Sequence, residues 1–279
     1  MSSWLRAACL ASGFMLLTVP LMPVQALLLA VSPRRARTFP HWYHKQVCRL
    51  LGVRLVITGA VVRDAAVLVV ANHVSWLDIP VISAVAPVSF VAKKDVAGWP
   101  FVSTLARLQR TVFVDRERRS KVGHTTNEII ARLGAGDAIV LFAEGTSSDG
   151  NRVLPFKTSL FAAAKSVPAE RGKPQVAERG KSRVAQPGRA VAVQTLSIVY
   201  TRSHGLPLGW AGRRALGYYG DIGMGANAWH VLSGGPLEAV IAISEPIALA
   251  SFDDRKVLAK WAEASVRSGR QEALRRDRP

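Results

Sequence analysis

Apolar positions along this chain recur with two periods, and the two take turns. "VRLVITG" (Val53–Gly59) and "AVLVVA" (Ala66–Ala71) are short β-branched runs bounded by Gly or Asp, which predicts two strands. "VSFVA" and "TVFVD" (Thr111–Asp115) predict a third and a fourth. "WLDIPVISAVA" follows Ser75, a residue type that caps helix N-termini, and predicts a helix ending before Pro87. "SKVGHTTNEIIARLGAG" puts Ile129, Ile130 and Leu133 on one helical face and stops at Gly134–Gly136. "AIVLFAEG" is apolar without alternation, as a strand buried on both faces would be. "AVAVQTLSIVY" (Ala190–Tyr200) predicts another buried strand, "EAVIAIS" the last one, and "DDRKVLAKWAEASVRS" a closing amphipathic helix. Strands that alternate with helices give an α/β fold, with a mixed, largely parallel sheet flanked by helices.

Two stretches break this rhythm. From Ala7 to Val31 no residue is charged, and only Ser12, Thr18 and Gln25 are clearly polar. That run matches the roughly 20 apolar residues a bilayer core requires. Pro20 and Pro23 would bend or split it, so a kinked span or a re-entrant hairpin is as acceptable as one straight helix. Arg34, Arg35, Arg37, Lys45 and Arg49 follow directly, with Trp42 and Tyr43 suited to the headgroup region. The expectation is an uncleaved anchor at the inner (cytoplasmic) membrane, with the main domain facing the cytoplasm. The second break, 165–189, has no apolar period, three prolines and a repeated "AERGK", and reads as a basic surface insertion. The expected organisation is an anchor over 1–33 and a basic juxtamembrane segment over 34–52. An enzymatic domain over 53–268 and a basic tail over 269–279 complete it.

Composition sharpens the choice of partner. Lys and Arg number 37 against 19 acidic residues, a formal charge of +18, which calls for an anionic partner. No finger, recognition helix or RNP-like aromatic motif accompanies the charge, so nucleic acid is not expected. The basic residues flanking the apolar run point to an anionic membrane instead. Cys9 and Cys48 make no spaced framework, consistent with a reducing compartment. With no CxxC, HExxH or His-rich cluster, no metal site is expected.

The candidate chemistry begins at "NHVSWLD", where His73 stands five residues before Asp78, straight after an apolar strand. Taken alone, the pair reads first as a turn-crossing imidazole beside a helix-starting carboxylate, and only second as a base with its orienting acid. Two further strands end in polar clusters, "TVFVDRERR" with Arg116 and "FAEGTSSDG" with Glu144. Ligands of open parallel sheets gather beyond the carboxyl ends of strands. His73, Arg116 and Glu144 each fall just past such an end.

The ordered set NHxxxxD, F-V-D-R and F-x-E-G-T-S, spread over roughly residues 50–200, resembles the glycerolipid acyltransferases, typified by lysophosphatidate acyltransferase. The resemblance implies transfer of a fatty acyl group from a thioester, on acyl carrier protein or coenzyme A, to the hydroxyl of a lysolipid. No other cofactor is implied. His73 would be the general base and Asp78 its orienting carboxylate. Arg116 would help bind the acceptor's anionic head, with Glu144, Gly145 and Thr146 forming the acceptor-binding turn. Lys157, in "PFK", is either a contact to a phosphate or a solvated lysine.

The third motif departs from the usual F-P-E-G-T-R-S. Ala143 takes the place of its proline and Ser147 that of its arginine. A serine offers neither charge nor a bidentate fork to a phosphate. "EGTSSDGNRVLPFKTSLF", "YTRSHGLPLG" and "YYGDI" resemble instead the bacterial subgroup that acylates lyso-ornithine lipid, whose head carries a carboxylate and an ammonium. That resemblance implies Arg116 for the carboxylate. Asp149 is either a partner of the ammonium or an ordinary turn residue before Gly150.

Overall fold

The computed structural model describes residues 3–63, 65–114, 119–162 and 191–276, with backbone alone over 119–126. The expected basic insertion (165–189) and Arg116 lie outside the described residues, as does Asp115.

Two antiparallel helices open the chain, α1 (Ser3–Val31) and α2 (Pro33–Leu51). α1 runs through Pro20 and Pro23 as one continuous helix. The two prolines remove backbone donors and crowd the preceding turns, and side chains on either side tie the stretch to its neighbours. Thr18 Oγ1 lies 2.7 Å from the Tyr43 hydroxyl of α2. Gln25 donates to the carbonyls of Ala36 (3.0 Å) and Leu108 (2.9 Å). Near the N-terminus, Arg6 donates to the Leu232 carbonyl and the Trp4 ring meets that of Trp229 at 5.8 Å. The helix is therefore held to the rest of the protein at both ends, and it leaves Leu16, Val19, Val24, Leu27 and Val31 exposed.

Residues 34–52 are more than a basic linker. α2 buries Ala36, Pro40, Val47, Cys48 and Leu51, a helical stripe that joins the core, while Arg34, Arg35, Lys45 and Arg49 stay exposed. The charges on the outer face mask this stripe in the sequence. Gly52, with φ +72, ends the helix in the left-handed conformation that glycine adopts without strain.

The sheet contains β1 (Val53–Thr58), β2 (Val67–Ala71), β3 (Ser89–Lys93), β4 (Val112–Val114), β5 (Ala138–Phe142), β6 (Ala192–Ser203) and β8 (Leu237–Ile243). Their order is β1-β8-β6-β2-β5-β3-β4. Two short strands, β7 (Leu206–Pro207) and β9 (Ile247–Ala248), pair with β6. All main pairings are parallel except β6 with β8, so the sheet is mixed and largely parallel, as the alternation of elements predicts. β2, the centre of the order, is buried at every position.

Strand alternation sends side chains into two cores. Val67, Val69, Ala71, Leu196, Ile198 and Tyr200 face a core shared with α2 and α3 (Asp78–Val85). Leu68, Val70, Ile139 and Leu141 face the opposite core, closed by α5 (Arg119–Gly134) and α8 (Arg255–Arg276). α4 (Pro100–Leu108) connects β3 to β4, and α6 (Trp210–Leu216) and α7 (Met224–Gly234) lie between β7 and β8.

Two sequence expectations need correction. Ser75 is not a helix cap: α3 starts at Asp78, and the Ser75 amide donates to the Asp78 carboxylate at 3.0 Å. The chain from 73 to 77 wraps that carboxylate instead of entering a helix. The closing helix also does not give way to a tail at 269. It continues to Arg276, because Gly269 passes so close to Ser197 that a Cβ would come within 2.6 Å, and Ala273 is buried beyond it.

Candidate active site

The register of β2 against β5 brings the site together. Ala71 pairs with Phe142, so His73 and Glu144 each lie two residues past the same rung. Asn72 extends the ladder on the other side, with its side-chain amide exchanging hydrogen bonds with the backbone of Ile198 at 2.9 and 3.0 Å. The backbone leading into His73 is thus fixed to both neighbouring strands.

Asp78 is fully buried and receives four donors. Its Oδ2 accepts from the amides of Val74 (2.6 Å) and Ser75 (3.0 Å) and meets His73 Nδ1 at 2.8 Å. Its Oδ1 accepts from the Tyr200 hydroxyl at 2.8 Å. A buried carboxylate without such partners would cost several kcal/mol. Surrounded by donors, Asp78 is a carboxylate, so Nδ1 of His73 carries the proton and Nε2 keeps a free lone pair. Burial, reinforced by the charge of Asp78, pushes the Tyr200 hydroxyl well above its usual pKa, keeping it a donor.

The plane of the imidazole is also set. It stacks on Phe142 at 4.0 Å with the rings 16° apart, and Phe90 lies against the same phenyl ring at 6.0 Å. The His73 side chain remains 21% exposed, so the ring reaches the surface while its acid does not.

Glu144 and Ser148 grip the His73 backbone from both sides. Oε1 of Glu144 accepts the His73 amide at 3.0 Å and Oε2 accepts that of Leu154 at 3.1 Å. The His73 carbonyl accepts from the amide and hydroxyl of Ser148 at 2.9 and 3.1 Å. Burial raises the Glu144 pKa to about 7, against the pull of its two amide donors. Both Glu144 oxygens are directed inward, onto backbone.

Gly145, at φ +73, makes the turn after Glu144 that its residue type invites. Thr146 is exposed, and Ser147 donates to the carbonyl of Tyr218. Asp149 Oδ1 accepts the Asn151 amide at 3.0 Å, closing a tight turn. The Lys157 side chain is exposed, and its amide donates to Ala143 at 2.8 Å.

Sequence reasoning missed Tyr200, Asn72 and Ser148. Tyr200 lies inside β6, four residues beyond Leu196 where the parallel pairing with β2 ends, so the strand-end rule that singles out His73 and Glu144 does not reach it. The stretches "YTRSHGLPLG" and "YYGDI" carry a resemblance in the sequence, but their place as a segment covering the catalytic loop is not legible there. The Tyr218 amide donates to the Val74 carbonyl (2.9 Å), and Trp76 Nε1 donates to Asn227, which donates on to Gly217 (both 3.0 Å).

The model of the family described as Acyltransferase matches residues 53–178. A lyso-ornithine lipid O-acyltransferase of Brucella abortus is 42% identical, covering 97% of this chain and 96% of its own length. The chain belongs to the acyltransferase family. A second lyso-ornithine lipid O-acyltransferase, from Rhizobium meliloti, shares 40% identity over 99% of the acyltransferase and 89% of the relative. A 1-acyl-sn-glycerol-3-phosphate acyltransferase of Neisseria gonorrhoeae shares 29% over 72% and 68%. In structure, the acyltransferase superposes on the 1-acyl-sn-glycerophosphate acyltransferase of Thermotoga maritima with a TM-score of 0.66. The two share 22% identity, with 97% and 94% of the chains covered, a likeness of fold.

Proposed function

We propose that this acyltransferase moves a fatty acyl chain from a thioester to the free hydroxyl of lyso-ornithine lipid, with His73 as general base. The single observation that carries the chemistry is the imidazole held through Nδ1 by Asp78 at 2.8 Å while the ring stays partly exposed. Nε2 takes the proton of the acceptor hydroxyl as its oxygen attacks the thioester carbonyl. The carbon–sulfur bond then breaks, and the proton on Nε2 passes to the departing thiolate. Asp78 stays ionised and stabilises the imidazolium between the two transfers. The donor is an acyl group on acyl carrier protein or coenzyme A.

The acceptor is inferred from the third motif and from relatives. Ser147 spends its hydroxyl on the Tyr218 carbonyl, so this position offers no cation to a phosphate. Two relatives at 40% identity or more over nearly the whole chain are named for lyso-ornithine lipid. Arg116 and Lys157 would meet the acceptor's carboxylate, and Asp149 its ammonium. Glu144, Gly145 and Thr146 shape the turn that positions them.

The same reading puts the protein at the inner face of the cytoplasmic membrane. α1 is long and apolar enough to cross a bilayer, yet its contacts at both ends favour a helix lying along the membrane surface with its exposed apolar stripe in lipid. Expression in a host that lacks ornithine lipid, with lyso-ornithine lipid supplied, tests the function. Appearance of the diacylated product supports it. Conversion of lysophosphatidate alone would assign the chain to phosphatidate synthesis.

A further inference from the structure

The segment covering the catalytic loop exposes more apolar surface than a water-facing cap needs. Leu206 is 70% exposed, Trp210 57%, Ile222 39% and Trp229 38%. Tryptophan, with its apolar body and polar N–H, favours the boundary between lipid headgroups and acyl chains. Arg214 lies 5.3 Å over the Trp210 ring, which puts a cation at the level an anionic headgroup would occupy. Arg213, next in sequence, instead turns inward and donates to the Leu208 carbonyl and to Asn151, so Arg214 is the cation this face presents, and Asp221 is the one acidic residue between Ser203 and Gly235.

This surface continues that of α1. Trp229 of α7 packs on Trp4, itself 65% exposed, and Arg6 of α1 donates to the Leu232 carbonyl of α7. The same segment is bonded to the catalytic loop through Tyr218 to Val74 and through Trp76 to Asn227. Building on the membrane reading of α1, we infer that residues 206–229 are a second membrane contact, seated in the headgroup region of an anionic bilayer. They bring the mouth beside His73 to the lipid surface, so that a lysolipid acceptor passes from bilayer to base without crossing water.

The test uses the full chain with vesicles of phosphatidylcholine and phosphatidylglycerol. A cysteine introduced by Trp210→Cys, in a Cys9→Ser background, carries a polarity-sensitive fluorophore. Cys48 is buried, and burial pushes its thiol up to about 12, so it stays unlabelled. Identical labels go on Leu16→Cys in α1 and on Glu272→Cys in α8, whose helix closes the opposite core. Vesicles should blue-shift the label at 210, nitroxide lipids should quench it, and the label at 272 should not respond. A response at 16 without one at 210 would overturn the second contact. A response at 210 to added acyl carrier protein but not to vesicles would overturn it in favour of a protein partner. Silence at 16 would be a failure of the α1 reading, separately visible.

Activity supplies the second arm. Trp210→Ala with Ile222→Ala should lower kcat/KM about tenfold for a vesicle-borne acceptor, since each side chain loses part of its apolar burial. A short-chain acceptor dissolved in water should be used unchanged. Equal losses on both acceptors would mean damage to the site and contradict an interfacial role. A wild-type enzyme inactive on either acceptor would count against the lyso-ornithine assignment, leaving the fluorescence result to decide the contact.

Discussion

The Tyr200 hydroxyl donates to Oδ1 of Asp78 at 2.8 Å, while the other carboxylate oxygen holds His73 and two backbone amides. One strand, β6, thereby orients an acid at the start of α3, more than a hundred residues earlier. Tyr200 touches neither base nor reacting atoms and acts as a positioning residue. A hydrogen bond to a charged group contributes about 1.5–3 kcal/mol, and three donors remain when it is lost. Tyr200→Phe should lower kcat about tenfold with KM for the lysolipid unchanged. A lowered Tm with kcat intact would reduce Tyr200 to a structural role.

Much of the fold was legible, and the reasons differ by element. β2 and β5 stand out as uninterrupted apolar runs because both faces of the sheet are covered. α2 was hidden because four of the five residues in its buried stripe, Ala36, Pro40, Val47 and Cys48, are small beside its many charges, and only Leu51 is large. At the site, motif and spacing locate His73 and Asp78, since the two are only five positions apart. The inward direction of Glu144 is set by Leu154 and the His73 backbone, partners that only the folded chain brings near. Local sequence does not set the exposed Trp210 and Trp229 apart, because what joins Trp229 to α1 is the ring of Trp4, more than two hundred residues away, packed on it at 5.8 Å.

Glu144 gives the protein a pH signature. Its pKa is raised from 4.5 to about 7 in the fold, so the folded state binds the extra proton between those values. The associated stability is fully present below about pH 4.5 and is lost as pH rises through about 7, roughly 3 kcal/mol. Glu144→Gln does not titrate and should lose less Tm between about pH 5 and about pH 8 than the wild type. Its carboxamide can accept from only one of the two amides, so kcat should fall at every pH. Parallel Tm curves for the two proteins would show that the titration belongs to another group.

Ser147 offers a test of the acceptor. Ser147→Arg introduces a guanidinium where the lysophosphatidate pattern has one and breaks the contact with the Tyr218 carbonyl. Activity on lyso-ornithine lipid should fall, since its ammonium is repelled and the turn at Tyr218 is disturbed. The ratio of kcat/KM values should move towards lysophosphatidate by about tenfold, the effect of a modest charge-assisted hydrogen bond. An unchanged ratio, with both activities equally reduced, would mean that this position does not face the acceptor head.

Catalysis by His73 on a lyso-ornithine acceptor is tested most directly by comparing wild type with His73→Ala under one fixed acyl donor. The quantity measured is kcat for formation of the diacylated ornithine lipid, with Tm and vesicle binding followed in parallel. Loss of the general base should lower kcat by about 100- to 10,000-fold while Tm and binding stay near wild type. Turnover by His73→Ala close to that of the wild type would contradict the general-base role. Absence of any diacylated product from the wild type would contradict the acceptor.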